Sequence, residues 1–167
     1  VDLRNIGYWL KALFGTPATN GSGPYVHDFI SGEVNLPSLS LEVGLPDVPD
    51  YPLFTGVRAN SCAFNFQRSG EAQVTIGLIG QGETPAISTR DASPLEAVYS
   101  RFSQFQGSIK CAGSNLADVT AASLTYSNNL EKIETIRDDG KVEGIDPGMS
   151  SLSGSISVRY GDNTLMD

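Results

Sequence analysis

The sequence predicts a mainly β fold, an antiparallel β-sandwich or open barrel with one α-helix packed on it. Three observations carry that prediction. Every-second-residue apolar patterns recur at 38–45, 57–79 and 151–160, while only one segment has a helical period. The 18 glycines and 9 prolines among 167 residues favour turns over long helices. A content of 40% hydrophobic and 18% charged residues belongs to a globular chain.

The helix comes first. Ile6, Trp9, Leu10 and Leu13 stand at i, i+3, i+4 and i+7, with Asn5 placed to cap the start and Gly15 to end it. Segment 16–24 (TPATNGSGP) reads as turn chemistry throughout, followed by a strand at 25–30. In 38–45, Leu39, Leu41, Val43 and Leu45 share one face of a half-buried strand, and Ser38, Ser40 and Glu42 the other. Residues 45–53 follow as an extended loop, because Pro46, Pro49 and Pro52 forbid helix and central strand.

The most informative stretch is 54–81. Cys62, Phe64 and Phe66 share one face of its first run, and Ala72, Val74, Ile76 and Leu78 one face of its second. A polar tip, 67–71 (QRSGE), joins them, which predicts an antiparallel hairpin. We expect Cys62, Phe64, Phe66, Val74, Ile76 and Leu78 in the core. The other face carries Ser61, Asn65, Gln67, Gln73 and Thr75 without a formal charge, where exposed strand faces usually carry Lys and Glu. Such a surface suits something that slides along it.

Residues 82–94 read as a second extended loop, stopped by Thr84-Pro85 and Ser93-Pro94. Segment 95–105 is open between a short helix and a strand. Strands follow at 105–111 and 119–126, then a turn at 138–141 (DDGK). In 151–160, Leu152, Ile156, Val158 and Tyr160 alternate with Ser151, Ser153, Ser155, Ser157 and Arg159. We expect one domain over 1–167, a size that buries about 68–70% of the unfolded chain's surface. Val1 is not Met and the chain stops soon after a strong strand pattern, so we expect a piece of a longer protein.

Composition narrows the chemistry. A net charge of −8 argues against nucleic-acid binding, since little here would neutralise phosphates, but not against letting nucleic acid pass. His27 is the only histidine, so any Ser-His-Asp or Cys-His apparatus would need it. Its setting between Tyr25 and Phe29 reads as a strand residue. Cys62 and Cys111 lack metal-ligand spacing and read as two buried thiols, a disulfide being the less favoured alternative. Asp138-Asp139-Gly140 lacks the alternating ligands of a calcium loop. A glycosidase-like carboxylate pair is the remaining enzymatic alternative, but Glu131, Glu134, Asp138 and Asp139 lie in turn-like or solvated contexts. There is no phosphate-cradling glycine motif, and no apolar run approaches the ~18 residues of a membrane span. We expect no catalytic, cofactor-binding or metal site, no membrane partner and no enzyme.

Several pieces together resemble the tail tube proteins of tailed bacteriophages. They are 7–15 (GYWLKALFG), 21–29 (GSGPYVHDF), 36–44 (LPSLSLEVG), 54–61 (FTGVRANS) leading to 79–81 (IGQ), 127–131 (SNNLE) and 153–158 (SGSISV). The resemblance covers most of the chain through turn and core residues. It implies a structural subunit that self-assembles into rings, usually hexameric, stacked as a conduit for the genome. Strands of neighbouring subunits would join into one inner barrel, which removes exposed sheet edges. Asn65, Gln67, Gln73 and Thr75 would then line the channel, and DNA would pass without specific binding. The loop residues Pro46, Asp47, Val48, Pro49, Asp50, Tyr51 and Pro52 would reach the adjacent subunit or ring, its prolines lowering the ordering entropy. The implied partners are copies of itself and other tail proteins, and the location is the virion tail, assembled in the host cytoplasm. The inner tube of a contractile injection device is an alternative on the same resemblance. A sandwich binding module of an adhesin or receptor-binding protein is the other, with Tyr51, Phe54 and Tyr99 as its candidate aromatic platform.

Overall fold

A computed structural model describes residues 2, 4–95, 98–101, 108–116 and 119–159. They form a mainly β structure with antiparallel sheets, a single helix and no closed barrel among them. The elements in chain order are α1 (Ile6–Phe14), β1 (Ala18–Asn20), β2 (Val26–Asp28), β3 (Leu39–Glu42), β4 (Leu53–Gln67) and β5 (Gln73–Ile79). Then come β6 (Gly82–Thr84), β7 (Lys110–Cys111), β8 (Ser114–Asn115), β9 (Val119–Ser127), β10 (Glu131–Ile133), β11 (Gly144–Asp146) and β12 (Ser151–Val158).

The 15-residue strand β4 organises the fold, because its two halves have different neighbours. Its first half pairs with β3 and β6, its second half with β5 and β9, and β12 adds to the far side of β9. The halves are separated by a bulge. Ala59 pairs with Leu78 but Ser61 with Gly77, so Asn60 is an extra residue in the ladder. That insertion flips the alternation. Val57 and Ala59 point inward before it, Cys62 and Phe64 after it, and Val57, Ala59 and Cys62 are buried. A second irregularity falls at Gly56, whose φ of 62° is left-handed and whose Cα is overlain by the Gln81 side chain. A Cβ there would meet both a strained backbone and that side chain.

The helix begins at Ile6 with Asn5 as N-cap residue, whose side chain makes no cap hydrogen bond, and ends at Gly15, whose N–H donates to Lys11 O at 2.9 Å. Its Ala12 and Leu13 form a core cluster with Ala59, Cys62 and Tyr126, joined by Phe14, Leu39, Phe64, Val74 and Ile76. A polar keystone closes this cluster. Buried Asn128 donates from Nδ2 to Leu13 O and Ala59 O and accepts the Tyr126 hydroxyl at Oδ1. It thereby satisfies helix and strand carbonyls that burial would otherwise orphan. A smaller cluster of Leu36, Leu130 and Ile145, with Ile79 against it, brings in the β10–β11 hairpin, where Arg58 Nη1 donates to Ile145 O at 2.7 Å.

Several expectations change. Segment 16–24 contains β1, which pairs with β2, so the predicted strand at 25–30 shortens to Val26–Asp28 in a small exposed hairpin. Loop 45–53 is a closed turn rather than an extended one. Leu45 N donates to Asp50 O and Val48 N to Leu45 O, and Leu53 already belongs to β4. In 82–94, residues 82–84 are strand β6. Val43 and Leu45 are exposed, since β3 stops at Glu42. Phe66 and Leu78 are not core: they keep the expected face but lie at the open end and outer strand of the sheet, 40% and 37% exposed. Cys111 is exposed on β7 while Cys62 is buried, and both thiols are free. Leu95 and residues 98–101 contain neither helix nor strand beyond an isolated bridge from Arg101 to Asp2. The rest of the ambiguous 95–105 segment lies outside the described residues, as do Tyr160 and 105–107 of the strand expected at 105–111, of which Lys110–Cys111 is strand β7.

Candidate functional site: an uncharged four-stranded face

Directly opposed residues of an antiparallel ladder project on the same side, and so do residues two apart in one strand. The registers of β5, β4, β9 and β12 therefore define two faces. On one, Thr75, Ala63, Thr125 and Ser153 form a row across all four strands. The next row is Gln73, Asn65, Ser123 and Ser155, and the row before is Gly77, Ser61, Ser127 and Ser151. Gln67, Ala121 and Ser157 continue it on three strands. These four rows contain no charged residue, and the uncharged stretch ends at the next pair along β4 and β5, Arg58 and Ile79. Its hydroxyls bond across strands, with Ser123 Oγ and Ser155 Oγ 2.8 Å apart.

The four residues singled out from sequence all lie on this face. Asn65, Gln67, Gln73 and Thr75 are exposed, and Asn65 and Gln73 are direct cross-strand partners. Sequence reading did not join them to Ser123, Thr125 and Ser127 of β9 or to the serines of β12. The signal was present: both segments alternate small uncharged polar or Ala residues with apolar ones. What the sequence lacks is strand order, which places β12 beside β9 and β9 beside β4.

The opposite face carries the rows Ile76, Cys62, Tyr126, Leu152, then Val74, Phe64, Leu124, Gly154, then Phe66, Ala122, Ile156. The helix covers the Cys62–Tyr126 part. Beyond it, an open hollow of about 440 Å³ is lined by Leu13, Phe14, Phe29, Cys62, Phe64, Leu124, Tyr126 and Leu152, with Ser31, Ser150 and Ser151 at its margin.

β12 and β5 have one neighbour each, so among the described residues both are edges of this four-stranded region. In β12 every residue except Val158 is exposed, including Leu152 and Ile156. The turn at 46–49 is exposed as well, with Val48 at 69%, while Tyr51 and Pro52 are half-buried and Tyr51 N donates to Ala86 O. Glu42 anchors the base of that hairpin. Its Oε1 accepts the Thr89 hydroxyl at 2.6 Å and its Oε2 the Arg90 N–H at 2.9 Å, which together hold the carboxyl below its ordinary value.

The candidates for chemistry are dispersed. His27 is exposed on β2, with Nδ1 2.8 Å from Thr19 Oγ1. Asp139 is gripped by Arg137 through Nε and Nη2 and accepts the Lys141 N–H, so its carboxylate is committed to the turn. Among the described residues, no group of three or more His, Cys, Asp or Glu side chains is placed to hold a metal, and no helix is long and apolar enough to cross a membrane. Tyr51, Phe54 and Tyr99 do not form a platform in common: the first two are half-buried and only Tyr99 is exposed.

No curated protein matches the chain. A family model described as phage tail tube protein matches residues 1–167, the whole of it. That family is structural and belongs to the virion tail. The chain belongs to the phage tail tube protein family.

Proposed function

We propose that this subunit assembles with copies of itself into stacked rings, hexameric in the simplest case, whose channel delivers the genome, and that the uncharged face of β5, β4, β9 and β12 lines that channel. The observation that carries the reading is the face itself. A four-stranded surface of Ser, Thr, Asn, Gln, Ala and Gly lies in a chain of net charge −8, so its lack of charge is not a consequence of composition. It offers passing phosphates neither cations to hold them nor carboxylates at contact range. The overall negative field is screened within about 8 Å at physiological salt, so repulsion acts only close to the wall.

The two edges support closure of a ring. β12 and β5 each present unpaired backbone groups along one side, and joining β12 of one copy to β5 of the next would satisfy both. The turn 46–49, with Tyr51 and Pro52 at its base, would make the contact to the neighbouring subunit or ring. Assembly is expected in the cytoplasm of the host, together with other tail proteins.

The experiment has two stages. Sedimentation and negative-stain imaging should give rings or tubes, and a persistent monomer would remove the reading. The variant Asn65→Lys/Gln67→Lys/Gln73→Lys should still assemble but bind duplex DNA with a steep salt dependence. Each phosphate contact changes log K by about 0.9 per decade of salt. Assembled triple variant with unchanged DNA transit would put these residues outside the channel.

A further inference from the structure

The β1–β2 hairpin stands apart from the large sheet. Among the described residues its two strands form a sheet of their own with three residue pairs, and all six strand residues are exposed. A two-stranded ribbon of this kind is marginally stable in water and opens locally far more often than a core strand does. Its turn starts at Asn20-Gly21, the one Asn-Gly pair in the sequence. Gly21 has a left-handed φ of 96°, and Gly23 follows with 117°. Among the described residues no turn or loop hydrogen bond engages the Gly21 N–H. Glycine also places no side chain between that nitrogen and the Asn20 amide carbon. The Asn20 side chain makes a single printed-length contact at the surface, Nδ2 donating to Asp28 Oδ2 at 3.3 Å.

A second pair capable of the same ring closure is restrained. In Asp139-Gly140, Asp139 Oδ1 accepts Arg137 Nε and Lys141 N, and Oδ2 accepts Arg137 Nη2, so both carboxylate oxygens are engaged. The Arg137 guanidinium also holds that carboxyl well below its ordinary value, which keeps it ionised and resistant to attack by a nucleophile. Asn20 carries a neutral amide in an exposed hairpin and has neither restraint.

We propose that Asn20-Gly21 is a site of spontaneous deamidation, which turns Asn20 into aspartate or isoaspartate and unpairs β1 from β2. The Gly21 nitrogen gives up its proton and bonds to Asn20 Cγ, the Cγ–Nδ2 bond breaks, and Nδ2 leaves with the proton as ammonia. Water then opens the succinimide at either carbonyl. Opening at Cγ gives aspartate, and opening at the backbone carbonyl gives isoaspartate, in which the chain runs on through Cγ. One water enters and one ammonia departs, with no change of oxidation state. Aspartate puts a carboxylate where an amide donated to Asp28, and like charges at neighbouring cross-strand positions destabilise a ladder. Isoaspartate lengthens the backbone by one carbon, which breaks the register of Asn20 with Val26. The reaction needs no enzyme and does not depend on assembly.

The test holds the full chain in mildly alkaline buffer and follows it by isoelectric focusing and peptide mapping. A species one charge more acidic than the starting −8 should accumulate, with the mass change of an amide turned acid at residue 20 and an isoaspartyl linkage in part of it. The Asp139-Gly140 peptide should stay unchanged over the same period. Asn20→Gln, whose longer side chain closes a ring less readily, should abolish the acidic species. Hydrogen exchange reads the consequence. Asn20→Asp should lose protection over 18–28 while the Cys62–Tyr126 core keeps its own, and Asn20→Asp/Asp28→Asn should regain it. A free peptide of residues 17–25 sets the time scale. Asn20 intact in the protein after that peptide has converted would overturn the inference, as would an acidic species that persists in Asn20→Gln. Isomerisation at Asp139 as fast as conversion of Asn20 would overturn the selection between the two pairs. Unchanged protection in Asn20→Asp would overturn the unpairing of β1 from β2.

Discussion

The two ends of the apolar face differ only in what covers them. The row of Ile76, Cys62, Tyr126 and Leu152 is sealed in its middle by Leu13 and Phe14 of α1, while the row of Phe66, Ala122 and Ile156 has nothing over it among the described residues. Both rows come from the same strands with the same alternation. The difference teaches that a strand pattern reports which side is apolar, and a second element decides whether that side becomes a core. A subunit with one sealed and one open end keeps part of its hydrophobic driving force available for association.

The largest expected effect separates these ends directly. Leu13→Ala, at a side chain 1% exposed, should destabilise the free subunit by about 2–5 kcal/mol, whereas Ile156→Ala, in the uncovered row and 55% exposed, should stay within about 0.5 kcal/mol. Urea unfolding of the unassembled protein measures both. Equal losses would show that the open end is as well packed as the sealed one.

Next comes the keystone. Asn128→Ala leaves the Leu13 and Ala59 carbonyls and the Tyr126 hydroxyl without their partner, an expected loss of about 1–3 kcal/mol for the buried groups left unsatisfied. Asn35→Ala, exposed and hydrogen-bonded only through its backbone N–H, is the comparison in the same assay. An equal loss at Asn35 would mean that Asn128 is no keystone.

Thiol chemistry sharpens the contrast without a stability measurement. Burial pushes the Cys62 thiol up to about 11, so at neutral pH it is protonated as well as enclosed. Iodoacetamide should modify Cys111 and spare Cys62 until the protein unfolds. Rapid labelling of Cys62 in the folded subunit would mean that the helix does not seal that end.

The smallest effect concerns Glu42. Its folded value is depressed, first by the Thr89 hydroxyl and then by the Arg90 N–H, so its contribution is present above the unfolded value near 4.3 and is lost as pH falls through the folded one. Protection of 86–91, taken relative to the intrinsic exchange rate at each pH, should therefore fall in acid ahead of that of the Cys62–Tyr126 core. Simultaneous loosening of both regions would mean that the hairpin base and the sealed end are one cooperative unit.

Much of this was legible in the sequence. The helix, the β4–β5 hairpin, the alternation of β12 and the polar side carrying Asn65, Gln67, Gln73 and Thr75 all follow from period and turn chemistry. What was not legible depends on distant partners. Residue Asn60 is ordinary in the sequence, yet as a bulge it turns Val57 and Ala59 inward against the alternation of Cys62 and Phe64. Gly82–Thr84 becomes a strand only because β4 is long enough to receive it beyond β5. Leu152 and Ile156 carry a core pattern, but the sequence does not say that both stay exposed among the described residues.

The bulge at Asn60 has a consequence for what genetic change the uncharged face can absorb. Exchanging one small polar side chain for another leaves that face nearly the same, so point substitutions there should be well tolerated. Removing or inserting a single residue between 61 and 67 is a different event. It would carry Phe64 and Phe66 to the polar face and Asn65 and Gln67 toward the apolar one in one step, because side chains alternate. The segment is thus permissive in spelling and strict in length, and variation among working copies should consist of replacements, with gaps confined to the tip at 68–71.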